Sequence, residues 1–186
     1  MTGVQTCALP ISVYPAALNH HENRILAWSV LPAPLPEKLA RTAADLARQI
    51  AEAIAVEGLL AVEMFVTQKG ALLVNELAPR PHNSFHATEV ACATSQFEQQ
   101  VRAVCDLPLG APDVLRPAAI CNLLGDLWLD HPQPKFDAAL ALPGVRLHLY
   151  GKRVARPGRK MGHLSATGAT PEEAILRVQR ARAMLE

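Results

Sequence analysis

Residues 59–86 constrain the fold of this chain more strongly than any other stretch. Two apolar runs flank the polar tetrapeptide Thr67-Gln68-Lys69-Gly70, and this pattern predicts two β-strands joined by a hairpin turn. Each run contains one carboxylate, Glu63 in the first and Glu76 in the second. If only the last two residues of the tetrapeptide form the loop, Glu63 lies directly opposite Glu76 on one face of the hairpin.

The predicted pairing of Glu63 with Glu76 is unfavourable unless something neutralises it. Like charges directly opposite each other destabilise an antiparallel ladder. A divalent cation would remove the conflict, because Mg²⁺ takes carboxylate oxygens as ligands and bridges them to phosphates. The alternative is a solvated hairpin face with two surface glutamates. The spacing alone leaves both interpretations open.

A polar loop follows the second predicted strand. Two prolines bracket Arg80 and stiffen the backbone around it. The same loop contains His82, Asn83 and His86, and a stiff loop with a guanidinium, imidazoles and an amide suits an anionic substrate. An ordinary polar surface loop is the alternative. Zinc binding by the two histidines is disfavoured, because no helical pattern surrounds them and His82 is not followed by glutamate.

The hairpin and its loop resemble the signature of the ATP-grasp enzymes, and within that family the 5-(carboxyamino)imidazole ribonucleotide synthases of purine biosynthesis. Further motifs of these enzymes follow in the same order, and the resemblance covers residues 13–186. The matching runs are Glu63, Asn75-Glu76-Leu77-Ala78-Pro79-Arg80-Pro81-His82-Asn83-Ser84, His86, Ser95-Gln96-Phe97-Glu98, Asp106-Leu107-Pro108-Leu109, and Arg156-Pro157-Gly158-Arg159-Lys160-Met161-Gly162-His163.

The resemblance implies an α+β fold. Its first part, at 13–111, is expected to be the carboxy-terminal half of an ATP-grasp domain, an antiparallel sheet with packed helices. Its second part, at 112–186, is expected to be a small β-rich domain with a terminal helix. Residues 1–12 match nothing in these enzymes and are interpreted as a cloning or sequencing scar. Because the family carries its glycine-rich phosphate loop and ATP-binding lysine upstream, we interpret the chain as a truncated fragment, inactive alone.

The resemblance also implies a reaction. Mg-ATP phosphorylates bicarbonate to carboxyphosphate, and the exocyclic amine of aminoimidazole ribonucleotide is then carboxylated, with release of ADP and phosphate. ATP and Mg²⁺ are the expected cofactors, and the full-length enzyme is expected to be a cytoplasmic homodimer. Glu63 and Glu76 are expected to ligate the metal, and Asn75, one strand position away and so on the opposite face, is expected to support them. Arg80 is expected to stabilise bicarbonate or carboxyphosphate, and His82 and Asn83 to orient the substrate, with His82 also a proton carrier. Lys152 and Arg159 are expected to bind the substrate phosphate, and Asn19 and His21 to lie near the pocket.

One position departs from the family pattern, and two rival functions stay open. Phe85 stands where these enzymes usually have glycine, so its side chain is expected to narrow the substrate loop or to oppose a positive φ. A formate-dependent glycinamide ribonucleotide transformylase shares much of the loop but typically has aspartate at the position of Asn83. A biotinyl or lipoyl carrier domain would present Lys160-Met161 on an exposed turn, although Arg159 precedes that lysine.

Composition disfavours nucleic acid and membrane as partners. The 18 basic and 17 acidic residues nearly cancel, so no global field attracts either. No apolar run approaches the roughly 20 residues of a membrane span. Basic residues do cluster in the acid-free stretch 138–171, but few aromatics accompany them, which makes nucleic acid the weaker binding interpretation. The four cysteines form no C-x-x-C pair, which favours reduced thiols.

Local patterns predict the remaining elements. Apolar residues at helical spacing predict a helix over 37–57, ended by Gly58. Ser95 with Glu98 predicts a capping box for a second helix, whose apolar stripe we assign to the core. That stripe consists of Phe97, Val101 and Val104. Further strands are expected at 118–124, at 145–149 and around 161–164. A last helix is expected to begin at Thr170-Pro171.

Overall fold

The fold consists of two antiparallel sheets and the helices that cover them, which confirms the α+β class. The computed structural model describes the backbone of residues 2–6 and the whole of residues 11–186. One sheet has the strand order β2-β1-β5-β6 and the other β3-β4-β7-β9-β8. The strands are β1 (Thr2–Thr6), β2 (Ile11–Val13), β3 (Leu18–Glu22), β4 (Ile25–Leu31), β5 (Gly58–Val66), β6 (Leu72–Ala78), β7 (Ala118–Leu124), β8 (Val145–Leu149) and β9 (Lys160–Thr167). The helices are α1 (Glu37–Ala53), α2 (Thr88–Ala91), α3 (Gln96–Val104), α4 (Asp126–Asp130), α5 (Phe136–Leu140) and α6 (Pro171–Ala183), with a 3₁₀ turn at Asn83–Phe85.

The β5–β6 hairpin pairs Glu63 directly with Glu76, as predicted, but its loop length and its register differ from the prediction. Its loop has three residues rather than two, because the Thr67 amide donates to the Ala71 carbonyl oxygen at 2.9 Å. Gly70 in this loop has φ +77°, a left-handed conformation that glycine adopts without steric cost. A bulge beside Glu63 then shifts the register by one residue. The longer loop and the bulge therefore cancel at the two glutamates.

The second sheet joins segments from both predicted domains. The β3–β4 hairpin belongs to the 13–111 segment, yet β4 pairs with β7 of the 112–186 segment, with Ser29 opposite Ile120. Strand β7 lies in the middle of the five strands and is buried along nearly its whole length. The division of the sequence at 111/112 stays a prediction, and the sheet itself crosses it.

Helix α1 covers the first sheet and α6 covers the second. Ala47 and Ala51 of α1 pack against Leu60 and Val62 of β5. Helix α6 begins as predicted, because the Thr170 hydroxyl accepts from the Glu173 amide at 3.2 Å. Its buried stripe is Ala174, Val178 and Ala181, continued by Leu185 two residues beyond the end of the helix. Within the described ranges, no helix combines the length and the apolar composition needed to cross a membrane.

The end of α1 differs from the prediction, because the helix stops four residues earlier, at position 53 rather than 57. Ala55 takes the left-handed conformation, with φ +46°. Its amide donates to the Glu52 carbonyl oxygen, and the Val56 amide donates to that of Ala51, which is the Schellman pattern of a helix end. Gly58 instead begins β5. The sequence pattern favoured glycine as the end of the helix, because alanine adopts this conformation only at a cost of about 1–2 kcal/mol.

The apolar stripe of α3 lies on the surface, so its assignment to the core was wrong. The exposed fractions of Phe97, Val101 and Val104 are 37, 57 and 67%. The inward face instead carries Gln96 and Gln99, both buried. Gln99 donates to the Gly110 carbonyl oxygen and accepts from its amide, at 2.7 and 2.8 Å. Buried amides cost little when they are paired in this way. The Ser95 cap itself is confirmed, since its hydroxyl accepts from the Glu98 amide.

The exclusion of residues 1–12 from the fold differs from the structure. The backbone of β1 pairs in antiparallel register with both β2 and β5, so part of this segment belongs to the first sheet. Residues 1 and 7–10 lie outside the described residues. The interpretation of the segment as a scar stays a prediction, because strand pairing carries no information about origin.

Candidate functional site

An open cleft of about 830 Å³ lies between the β5–β6 hairpin and residues of the second sheet. Residues from four separate parts of the chain line it. The predicted site residues among them are His21, Glu63, Asn75, Glu76, Arg80, His82 and Lys152; the others are Arg24, Ile25, Leu26, Met64, Phe65, Gly158 and Lys160. The cleft thus joins both glutamates, the loop after β6 and the basic stretch before β9.

Of the two paired glutamates, Glu63 is the buried one. The exposed fraction of Glu63 is 9%, whereas Glu76 is exposed. Nε2 of His82 lies 3.3 Å from Glu63 Oε1, and the Asn75 amide nitrogen donates to Oε2 at 3.2 Å. The prediction that Asn75 lies on the opposite face was wrong, because the bulge interrupts the alternation of side chains. Both oxygens of Glu63 are held, and each keeps a further lone pair for a ligand.

His82 is neutral and directs an N–H group at Glu63. The Ser84 amide donates to His82 Nδ1 at 3.4 Å, so the ring proton resides on Nε2. Burial, aided by the positive charges of Arg80 and Lys160, lowers the pKa of His82 to about 4. At neutral pH the contact with Glu63 is therefore a hydrogen bond from an uncharged imidazole rather than an ion pair.

A row of hydrogen bonds from the second sheet supports His82. Ser84 Oγ lies 3.0 Å from His82 Nδ1 and accepts from the Asn19 side-chain amide at 2.8 Å. The Ser29 hydroxyl donates to Asn19 Oδ1 at 2.7 Å. Asn19, which the resemblance brings near the pocket, therefore acts on His82 through Ser84. The row fixes the ring orientation by connecting it to two paired strands.

Gln96 holds the backbone of the substrate loop, a role that sequence reasoning missed. Its Oε1 accepts from the His82 amide at 2.8 Å, and its Nε2 donates to the His82 carbonyl oxygen at 2.9 Å. Nε2 also lies 3.0 Å from His86 Nδ1. The position of Gln96 as the first residue of the capped helix α3 was readable from the sequence. The direction of its side chain, towards the interior, depends on how α3 packs in the fold.

Two predicted site residues do not line the cleft. The Asn83 side-chain amide donates to Asn122 Oδ1 at 2.9 Å, and Asn122 in turn donates to the Leu26 carbonyl oxygen at 2.7 Å. Arg159 donates to the Val154 carbonyl oxygen at 2.7 Å. Asn83 therefore fastens the loop to β7, and Arg159 fastens the basic turn. Their assigned contacts with substrate stay predictions.

Two lysines form the basic side of the cleft. Nζ of Lys152 donates to the Lys160 carbonyl oxygen at 2.5 Å and lies 5.5 Å from the centre of the Tyr150 ring. Lys160 was missed as a site residue. Burial lowers its pKa, Arg80 lowers it further, and the charge of Glu63 opposes the shift. The acid-free stretch pointed to this region, but which lysine faces the cleft depends on how β9 is inserted into the sheet.

Two sequence expectations are corrected near these lysines and the loop. Lys160 is half-buried and Met161 is buried, so the exposed Lys-Met turn of a carrier domain is not present.

Phe85 is 2% exposed, and its ring packs 6.2 Å from the Tyr14 ring, centre to centre. It is in a 3₁₀ turn and not among the positive-φ residues. Phe85 therefore fills the core beneath the loop and does not narrow the cleft.

The donors around the cleft fit a hard divalent cation beside an anionic ligand. Glu63 and Glu76 offer opposed carboxylates, and hard cations prefer such oxygens. Hydrogen bonds that fix a carboxylate, as His82 and Asn75 do for Glu63, are usual around metal ligands. The basic groups on the other side are suited to phosphate and carboxylate oxygens.

Two family descriptions match consecutive parts of the chain. Residues 3–97 match the ATP-grasp domain, and residues 118–177 match the phosphoribosylaminoimidazole carboxylase C-terminal domain. The cleft draws its glutamates and loop from the first match and its lysines from the second. The resemblance read from the motifs is thus confirmed over nearly the same residues.

The chain is also similar to individual proteins and solved structures. It is 50% identical over 156 residues to the N5-carboxyaminoimidazole ribonucleotide synthase of Bacillus subtilis, covering 83% of this chain and 40% of that protein. For the Synechococcus elongatus synthase the identity is 41%, over 94% of this chain and 44% of the relative. The structure of the Aspergillus clavatus synthase in complex with ADP and 5-aminoimidazole ribonucleotide superposes with a TM-score of 0.89 at 32% identity, over 99% of this chain and 50% of that one. The Thermotoga maritima synthetase gives 0.86 at 37% identity, over 100% and 51%. The chain therefore spans about half the length of the proteins it matches.

Proposed function

This chain belongs to the ATP-grasp family, and from that premise we propose that it supplies the metal and substrate side of an ATP-dependent carbon–nitrogen ligase. The proposed reaction carboxylates 5-aminoimidazole ribonucleotide with bicarbonate. One observation carries the proposal: a single cleft contains two opposed glutamates and an arginine from the ATP-grasp segment together with lysines from the carboxylase segment. A structural neighbour at TM-score 0.89 is described in complex with ADP and that ribonucleotide.

In the proposed reaction the γ-phosphoryl group of ATP passes to bicarbonate, which gives carboxyphosphate and ADP. The exocyclic amine then attacks the carboxyl carbon, phosphate leaves, and the amine loses a proton. Glu63 and Glu76 would hold Mg²⁺, which when bound offsets the negative charge of the phosphates. Asn75 and His82 keep the Glu63 carboxylate in one orientation by bonding one oxygen each.

Arg80 is the proposed contact for bicarbonate and carboxyphosphate. Its side chain is exposed in the cleft, and its recorded bond is Nη1 to the Pro81 carbonyl oxygen at 3.1 Å, which leaves most of its five N–H donors for a ligand. His82 has a pKa of about 4, so at neutral pH we assign it the role of a neutral donor that orients Glu63 rather than that of a charged acid. Asn83 would orient the substrate indirectly by holding the loop against β7.

The basic side of the cleft would bind the phosphate of the ribonucleotide. Lys152 lines the cleft, and Lys160 adds a second ammonium group beside it. Arg159 would contribute by fixing the turn that carries both. Like the reaction, a homodimeric and cytoplasmic full-length enzyme is part of the proposal, supported by the similarity to the synthases and by the free thiols of Cys92, Cys105 and Cys121.

The reaction is tested in a chimera, since the matched proteins are about twice as long as this chain. Residues 13–186 are joined to the amino-terminal segments of the Bacillus subtilis relative. We expect ADP release that requires both aminoimidazole ribonucleotide and bicarbonate. ADP release driven by formate with glycinamide ribonucleotide would transfer the assignment to the rival transformylase. Binding of Mg-ATP with turnover of neither pair would leave the family membership and remove the proposed reaction.

Variants of the chimera separate the two sides of the cleft. Arg80→Ala is expected to lower kcat about 100-fold, because the charge it meets is largest in carboxyphosphate and its transition states. Lys152→Ala is expected to raise the KM for the ribonucleotide roughly 10-fold with less change in kcat, since it removes a ground-state contact. Steady-state kinetics distinguish the two effects. Arg41→Ala and Lys69→Ala, which replace exposed residues outside the cleft, are the matched controls.

A further inference from the structure

A second cluster of potential metal ligands lies outside the cleft, on the opposite edge of the second sheet. It consists of Glu89 in α2, His148 in β8 and His163 in β9. His148 and His163 are direct cross-strand partners, so their side chains share the sheet face on which α2 packs. One donor atom from each of the three residues lies within 4.8 Å of the others. We propose that these three side chains form a binding site for a transition-metal cation, with Zn²⁺ as its preferred occupant.

Unpartnered buried nitrogens carry the proposal. His163 is 2% exposed, yet its Nε2 has no hydrogen-bond partner among the described residues. Nδ1 of His148 is likewise buried without a partner, while its Nε2 lies 3.5 Å from Glu89 Oε2. An unpaired polar atom in the interior costs on the order of 1–3 kcal/mol, so the chain maintains an unfavourable arrangement here. Coordination of a cation would give the buried Nε2 of His163 the partner that it lacks.

The other nitrogen of His163 is already held as in known metal sites. The Tyr150 hydroxyl lies 2.8 Å from His163 Nδ1. Ligating histidines usually donate their second N–H to an oxygen, which fixes the ring and its tautomer. With Nδ1–H directed at the tyrosine oxygen, the lone pair of Nε2 is free for a cation. Burial raises the pKa of Tyr150 to about 12, so the hydroxyl remains uncharged at neutral pH.

The two outer ligands can approach the buried one. The imidazoles of His148 and His163 are stacked, with centres 4.7 Å apart and planes 17° apart, so the His148 ring must turn out of the stack before both lone pairs can point at one cation. The side chains of His148 and Glu89 are 39% and 33% exposed, which leaves solvent-facing space for this change. Donors around tetrahedral zinc lie roughly 3.4 Å apart, given zinc–ligand distances near 2.1 Å. The donor atoms, now within 4.8 Å of one another, must therefore move closer together to bind one cation.

The cluster is accessible and chemically distinct from the glutamate pair. Glu89 and His148 line a separate open depression of about 350 Å³, which provides a path for the ion. Two imidazoles and one carboxylate are a usual ligand set for zinc with a fourth position open to water, whereas Mg²⁺ prefers oxygen ligands alone. Glu63 and Glu76 offer only oxygens, so each site selects a different cation.

The test is zinc binding by the chain itself. Calorimetry in excess Mg²⁺ measures the affinity and the stoichiometry, and the visible spectrum of bound Co²⁺ reports the ligand geometry. A Cys105→Ser background removes the thiol that is exposed among the described residues. We expect one equivalent of Zn²⁺ and a Co²⁺ spectrum of tetrahedral nitrogen–oxygen ligation. Even residues that only orient a ligand contribute about 10- to 100-fold to affinity, so His148→Ala and Glu89→Gln should each weaken binding at least 10-fold. Tyr150→Phe should weaken it less.

His131→Ala is the matched control, because His131 lies outside the cluster. The two main variants replace partly exposed side chains, so loss of folding does not confound them, and circular dichroism verifies this. Equal zinc affinity in His148→Ala and His131→Ala, or no saturable binding by the parent chain, would overturn the proposal. The readout is binding rather than turnover, so this result is independent of the proposed carboxylation.

Discussion

Replacement of Gly162 by alanine is expected to lower the free energy of unfolding by at least about 3 kcal/mol. Gly162 lies in β9, where it pairs with Leu123 of β7 on one side and Leu149 of β8 on the other. A Cβ atom at this position would stand 2.3 Å from the His148 carbonyl oxygen. The obstacle is backbone, so no change of rotamer relieves it. Strand β8 would have to separate from β9 and lose its hydrogen bonds there.

Urea unfolding followed by circular dichroism measures this effect. Gly70→Ala serves as the comparison, because a Cβ there meets nothing within 4 Å and only the left-handed φ of +77° opposes it. That conformation costs about 1–2 kcal/mol for alanine. If Gly162→Ala loses no more stability than Gly70→Ala, the close approach of β8 and β9 is not a constraint on the fold.

Acidification from pH 7 to pH 5 is expected to lower the free energy of unfolding by about 3 kcal/mol. Burial is the main cause that lowers the pKa of His82 to about 4, of His86 to about 4 and of His163 to about 3. Each is neutral in the folded chain, whereas in the unfolded chain each binds a proton near pH 6.5. Stability is therefore complete above that pH and is lost as the pH falls towards 4. The full sum for three histidines is larger, but water screens the partly exposed His86.

Most charges around the three rings lower the pKa values in the same direction as burial. His86 and His163 stack with centres 4.8 Å apart, and His148 stacks on the far side of His163, so protonation of one ring disfavours protonation of its neighbours. Lys160 acts on His82 and His86 in the same direction. The carboxylate of Glu63, 3.3 Å from His82 Nε2, acts in the opposite direction.

Denaturation in urea at a series of pH values between 7 and 5 measures the slope. His86→Gln should reduce it by up to about 1.4 kcal/mol per pH unit, the contribution of one histidine. His20→Gln is the control, since His20 is exposed on β3 beside Trp28 and outside the stack. A stability that stays constant over this range, or a slope that His20→Gln changes as much as His86→Gln, would contradict the assignment of the three buried neutral rings.

The parts of the site that depend on residues close together in the sequence could be predicted from the sequence. The opposed glutamates, the caps of α3 and α6 and the contents of the loop after β6 depend on residues close together in sequence, and turn and cap chemistry act over that range. Even so, the glutamate pairing was predicted from a two-residue loop. It holds because the extra loop residue and the bulge at Asn75 compensate for each other. Side-chain hydrogen bonding of this kind at a bulge leaves no periodic signal.

The sequence by itself determined the β5–β6 hairpin, the longer helices α1, α3 and α6, the strands β7 to β9, the carboxylate pair and the identity of the basic stretch, because alternation, capping and charge are properties of short segments. Only the tertiary structure decided which groups meet. It turned the apolar stripe of α3 outward and Gln96 inward onto the His82 backbone, and it brought Lys160 to the cleft while Arg159 bonds to its own turn. The first outcome depends on the packing of α3 against β5 and the second on the pairing of β9 with β7, elements far apart in the chain. Long-range pairing fixes the direction of a side chain through the packing of the whole sheet, which no local pattern encodes.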